Sequence, residues 1–216
     1  MASRVIHYLI AEKIAILQQL DLNRFITGAL LPDLSKHDDG SYHRAHYGHE
    51  IDELGIKGIN WHDFKRSYYE RIKKDSLYMG YYCHLIMDAL WLFSVADKYI
   101  RSYPYPERKY IYQKSYRDYM KLNYLLTKEY NLSYYLQEID IPKINEIDLS
   151  MYDHFFKGLR EDIMCPETAG TEQLELYPYD VIKEYITNAF DLCMAELQAF
   201  REDKEFIKPQ VFYIHR

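Results

Sequence analysis

The sequence predicts an all-α fold, a compact multi-helix bundle of about six or seven helices. Two observations carry this. Between its proline and glycine breaks, the chain places apolar residues three and four apart. No β-alternating run of useful length appears, apart from VFYIH near the end. The 216 residues fit a single all-helical domain over 1–216. A core of that size can hold a fold without disulfides.

The first helix spans about residues 3–20, with Ser3 as its N-cap and Ile6, Ile10, Ile14 and Leu17 along one face. The stretch from 24 to 59 carries six glycine or proline breaks and reads as irregular, with one short helix near Arg24–Leu30. A helix follows from Trp61 to Lys73. The central helix runs from Ser76, its expected cap, to Ser102, where Pro104 and Pro106 end it. Another helix fits Glu107–Tyr130, and 131–145 is a connection. Helices over 146–164 and 178–206 close the chain around the loop CPETAGTEQ.

Composition narrows the function. A net charge of -6 argues against non-specific binding of nucleic acid or anionic membrane, which needs a basic face. Cys83, Cys165 and Cys193 are odd in number and lack C-x-x-C spacing, so they read as core residues or free thiols in a reducing compartment. The N-terminus lacks the apolar run and cleavage site of a secretory signal. The expected location is the cytoplasm. Leu77–Ala96 has the length of a membrane span, but His84 and Asp88 at its centre favour a buried helix with a functional polar face. The 24 tyrosines suit helix surfaces and pocket walls, where a ring is buried and its hydroxyl reaches a polar partner.

Seven of the nine histidines lie in the first 84 residues, interspersed with aspartates. His84 and Asp88, at i and i+4, share one helix face and can hold one cation or simply hydrogen-bond each other. Their apolar surroundings sharpen the question, since an unpaired buried carboxylate is costly and a metal neutralises it. His7, between Ile6 and Tyr8 on an apolar helix, is a third such intrusion.

In order, SRVIHYLIA, FITGALLPD, HRAHYG and YMGYYCHLIMD resemble the zinc-dependent phospholipase C superfamily, which includes the single-strand-specific zinc nucleases. The likeness covers residues 3–92. It implies that Asp33, His46, His84 and Asp88 bind one zinc, that His7 binds a second, and that the Asp88 carboxylate bridges them. Asp33 would also orient or deprotonate the attacking water. Two zinc ions are favoured, with a range of one to three. The implied activity is phosphoester hydrolysis, on a small phosphoester or phospholipid-like substrate, with nucleic acid less favoured.

The chain departs from that pattern twice. It starts Met1-Ala2-Ser3-Arg4 and lacks the N-terminal Trp whose amino group and carbonyl ligate zinc in secreted members. After Asp88 comes ALWLF, without the histidines of a third site, leaving His154 as the one late residue that can join or else stay on the surface. His43 competes with His46 as ligand, and the resemblance favours His46. His37, His49 and His62 are expected at the surface, as are Lys36 and Arg44 unless they bind phosphate. Two other readings stand beside the hydrolase. One is an HD-type phosphohydrolase using His37-Asp38 or His62-Asp63. The other is a non-catalytic binding or regulatory protein with one structural metal.

Overall fold

The computed structural model describes residues 2–35, 39–164 and 173–215, apart from the side chain of Asp52. The fold is predominantly helical. Eight α-helices are present among the described residues: α1 (Arg4–Leu17), α2 (Leu22–Gly28), α3 (Ser41–Ala45), α4 (Trp61–Lys74), α5 (Ser76–Trp91), α6 (Tyr105–Tyr130), α7 (Tyr152–Met164) and α8 (Tyr179–Arg201). A π-helical segment, Leu92–Arg101, prolongs α5.

Helix α5 is the axis around which the others pack. All its residues except Ser76 and Met79 are buried, as in a helix enclosed by neighbours, and His84 and Asp88 interrupt its otherwise largely apolar surface. α1, α2, α4 and α8 surround it. Its cap is Asp75 rather than Ser76: the Asp75 carboxylate accepts from the Leu77 amide at 2.9 Å. The same carboxylate takes a two-pronged bond from Arg24 on α2, at 2.8 and 2.5 Å. Burial raises the Asp75 pKa, and the Arg24 bonds more than offset this, leaving it below its usual value. A serine cap was the simpler expectation, but the carboxylate serves both the helix end and the neighbouring helix.

α2 and α5 approach through two glycines. A β-carbon at Gly28 would overlap the Leu77 carbonyl, and one at Gly80 would overlap the Phe25 carbonyl and crowd the Ala29 amide. This contact lets the end of α2 reach the middle of α5, where the polar residues lie. Gly80→Ala should therefore destabilise the protein by about 3 kcal/mol through overpacking against backbone that has no room to yield. Urea unfolding measures this. A midpoint equal to the native one would contradict so close a crossing.

Several expectations need correction. A small antiparallel sheet of order β1-β2-β3 is present, formed by β1 (Gly48–Ile51), β2 (Ile56–Ile59) and β3 (Ile214–His215). Gly48 faces Ile59 and Ile51 faces Ile56 across the hairpin, whose turn uses Gly55 at φ 60°. Strands of four residues or fewer, with a glycine in each of β1 and β2, carry too little alternation to read from sequence. VFYIH contributes only its end to β3, since Pro209–Phe212 is a 3-10 turn. Second, α3 is an added helix within the stretch read as irregular. Third, α6 begins at Tyr105, with Pro106 inside its first turn, where a missing N–H costs nothing. The late helices are also shorter than expected, at 152–164 and 179–201. Ser3 caps α1 as expected, accepting from Ile6 at 3.3 Å. No helix among the described residues is long and apolar enough to cross a membrane.

Candidate metal centre

Five side chains converge beside the middle of α5, each delivered by a different local device. His7 comes from the second turn of α1 and is fully buried. Asp33 sits on the 3-10 turn Leu31–Leu34, which Pro32 starts directly after α2. His46 is the C-cap of α3. His84 and Asp88 project from one face of α5.

The imidazoles are fixed by their outer nitrogens. His84 Nδ1 lies 2.8 Å from the Ala29 carbonyl, which the Gly28–Gly80 crossing brings into place. His46 Nδ1 lies 2.9 Å from the Tyr42 carbonyl, and its ring stacks on Tyr42 at 3.9 Å. A carbonyl can only accept, so each Nδ1 donates, and in a neutral ring that leaves Nε2 as a bare lone pair. The two Nε2 atoms face each other at 3.2 Å. Two lone pairs at that distance repel unless a proton or a cation lies between them.

Carboxylates complete the set. Asp88 Oδ2 is 3.4 Å from His46 Nε2 and 3.5 Å from His84 Nε2. Asp33 Oδ1 is 3.5 and 3.8 Å from the same two nitrogens. Four ligand atoms, from Asp33, His46, His84 and Asp88, lie within 4.8 Å of one another, so this buried cluster could hold a metal ion. On the other side of Asp88, Oδ1 faces His7 Nε2 at 3.2 Å and the Ala2 amide at 3.3 Å. The His7 ring stacks on His84 at 4.2 Å.

Charge and hydrogen-bond satisfaction both suit a site that could hold a cation. Asp33 Oδ1, Asp88 Oδ2 and both His7 nitrogens are buried without a hydrogen-bond partner. Such clustering of orphaned polar atoms is rare in a folded interior. Burial raises the Asp88 pKa, but the adjacent His7 and His84 rings hold it well below the usual carboxylate range. Asp33 is likewise raised by burial and brought below normal by His84 and His46. Burial lowers His46, against the pull of Asp33. For His84, burial is overcome by Asp33 and Asp88, and its pKa rises. Two carboxylates held below their usual pKa thus share a buried space with three imidazole rings.

No family model matches the chain, and no curated protein or solved structure matches it. The resemblance to the zinc-dependent phospholipase C superfamily therefore rests on the motifs themselves.

The centre opens into a cavity of about 680 Å³, lined by Asp33 and Asp88 at its base. Its walls include Tyr42, Tyr112, Tyr116 and Tyr119 with Leu92 and Ile100. Burial and the nearby Asp88 and Asp33 charges push the Tyr42 hydroxyl well above its usual pKa, so it remains a neutral donor. Nothing in a chain so rich in tyrosine singles these rings out.

The remaining sequence candidates lie elsewhere. His43 is exposed and lines the cavity mouth rather than joining the four ligands. His154 and His215 are exposed, and so is Arg44. His49 is half-buried, stacked on Tyr213 at 5.5 Å. His62 is also half-buried, with Nδ1 3.2 Å from Glu205; it lines a separate shallow cavity with Asp63 and Arg66. The surface expected for His49 and His62 is thus only partly realised. Lys36, His37, Asp38 and Cys165 lie outside the described residues, while Cys83 and Cys193 are buried free thiols.

Proposed function

We propose that this chain is a zinc-dependent phosphoester hydrolase, with Asp33, His46, His84 and Asp88 holding one ion and His7 and Asp88 Oδ1 beginning a second position. The observation that carries the reading is the pair of imidazole Nε2 atoms facing each other at 3.2 Å, each oriented from behind by a backbone carbonyl. Outer hydrogen bonds of this kind set the tautomer and orientation of metal-binding histidines. Tetrahedral zinc, with bonds of about 2.0–2.1 Å, requires ligand atoms about 3.3–3.4 Å apart. The five separations quoted for the four-residue set, 3.2 to 3.8 Å, suit that size.

Divalent metal in such a site supplies Lewis-acid stabilisation of phosphoryl oxygens and lowers the pKa of water. The residues do the rest. Asp33, held ionised and with Oδ1 unpartnered, lines the cavity floor and accepts a proton or hydrogen bond from the attacking water. Asp88 presents one oxygen to each side of the centre, which suits it to bridge. The tyrosine-lined cavity receives a small phosphoester or phospholipid-like substrate.

One observation favours a second reading, a binding or regulatory protein with a structural ion. Four protein ligands close a zinc shell, whereas catalytic zinc keeps a position open. The His7 side decides between them, because only a second ion there leaves coordination free. The test is turnover of a panel of nitrophenyl phosphoesters, phospholipids and single-stranded nucleic acids by fully metallated protein. Hydrolysis that is lost on chelation and restored by zinc is expected. Inactivity across the panel would leave the structural-ion reading.

A further inference from the structure

The cavity holds a cation that the metal chemistry does not use. Arg101 lies at the end of the π-helical segment that prolongs α5, and it lines the same cavity as Asp33 and Asp88. Segments with i→i+5 bonding are uncommon and recur at functional sites, because the widened turn redirects the side chains that follow. Here Leu92, Ala96, Ile100 and Arg101 all come to line the cavity.

Arg101 differs from the other basic residues of this wall. Arg4 is bonded to Asp162 at 2.7 Å, and Lys57 lies 3.0 Å from Glu50. The Arg101 side chain is only 14% exposed, and its ion pair with Asp97 is loose, Nε to Oδ1 being 3.6 Å, beyond hydrogen-bond range. Its Nε is buried with no acceptor among the described residues. A buried N–H without an acceptor carries a desolvation cost, which an oxyanion in the cavity would relieve through a charge-assisted bond.

We infer that Arg101 recognises a second anionic group of the substrate, one separate from the phosphorus held at the metal centre. Arg101 follows Asp88 by 13 residues, up to about 20 Å along a helix at 1.5 Å per residue. Their backbones stand about three helical turns apart, which leaves room for one anionic group at each end. The wall between them is apolar and aromatic, formed by Leu92 and Ile100 on one side and by Tyr112, Tyr116 and Met120 of α6 on the other. The ligand class that matches is a phosphoester with an apolar or aromatic body and a distal phosphate or carboxylate. This inference rests on the hydrolase reading for the role of the ligand as substrate, though not for its binding.

Hexyl phosphate and hexamethylene bisphosphate, titrated calorimetrically into the metal-loaded protein, test it without any need for turnover. The bisphosphate should bind about tenfold or more tighter than the monophosphate. In Arg101→Lys and Arg101→Gln the gap should close, with monophosphate affinity and metal content unchanged, because a lysine lacks the planar fork. The Arg108 bond to this residue is to its backbone carbonyl and survives both substitutions. Equal affinity of the two probes in the native protein would overturn the inference, and so would a gap that persists in both variants or no binding of either probe. A gap that closes in the variants, in a protein that hydrolyses nothing, would keep Arg101 as an anion receptor and remove the hydrolase reading.

Discussion

Stripping the metal lowers the thermal unfolding midpoint by about 10 °C, the expected result for a protein of this size that loses several kcal/mol. The cause lies in the centre itself. Without a cation, Asp33 Oδ1 and Asp88 Oδ2 remain buried acceptors with no hydrogen-bond donor, and two Nε2 atoms oppose each other at 3.2 Å. Relief requires a proton between the rings or local opening of α3 and the turn that carries Asp33. The second route weakens the junction between α2 and α5, because that turn follows α2 directly. The measurement is a melt at fixed pH with and without a strong chelator, metal loss being confirmed on the same sample. An unchanged midpoint in the stripped protein would contradict a buried ligand set.

Asp33→Asn and His7→Ala separate the roles within the cluster. Asp33→Asn keeps a neutral oxygen ligand in the same turn but loses the carboxylate that accepts a proton. Activity should fall about 10³-fold while most of the metal stays. His7→Ala removes a ring that is not among the four clustered ligands, faces the Oδ1 side of Asp88 and stacks on His84. It should lower the stoichiometry from two ions to one and leave a folded, nearly inactive protein. Rates measured beside elemental analysis of each variant make the comparison. Parallel loss of metal and activity in Asp33→Asn would make Asp33 a ligand alone. Full activity in His7→Ala would remove the second position.

Much of the centre was legible because its residues violate their surroundings. His7, His84 and Asp88 interrupt apolar helices, and the i, i+4 spacing fixes two of them on one face whatever the rest of the fold does. Asp33 and His46 lie where glycine and proline break the pattern, and only ordered motif spacing selects them from the many polar residues there. What could not be read depends on tertiary approach. The Gly28–Gly80 crossing that sets the His84 tautomer is a contact between helices 52 residues apart in sequence. The hairpin 48–59 is stabilised by its packing and by β3 from the far end of the chain, with little propensity of its own. α-Helical periodicity gives no sign of the π-helical turn at whose end Arg101 lines the cavity. Asp75 displaced Ser76 as the cap of α5 because Arg24, distant in sequence, rewards a carboxylate there.

The most direct test of the metal centre is anomalous scattering at the zinc edge from crystals of chelator-free protein, with elemental analysis of the same preparation. The account predicts a peak between His46 Nε2, His84 Nε2, Asp33 and Asp88, and a second beside His7 and Asp88 Oδ1. Manganese or iron in those places would change the metal and keep the site. Full-occupancy metal elsewhere, with His46 and His84 bonded directly to each other and no peak between them, would contradict it.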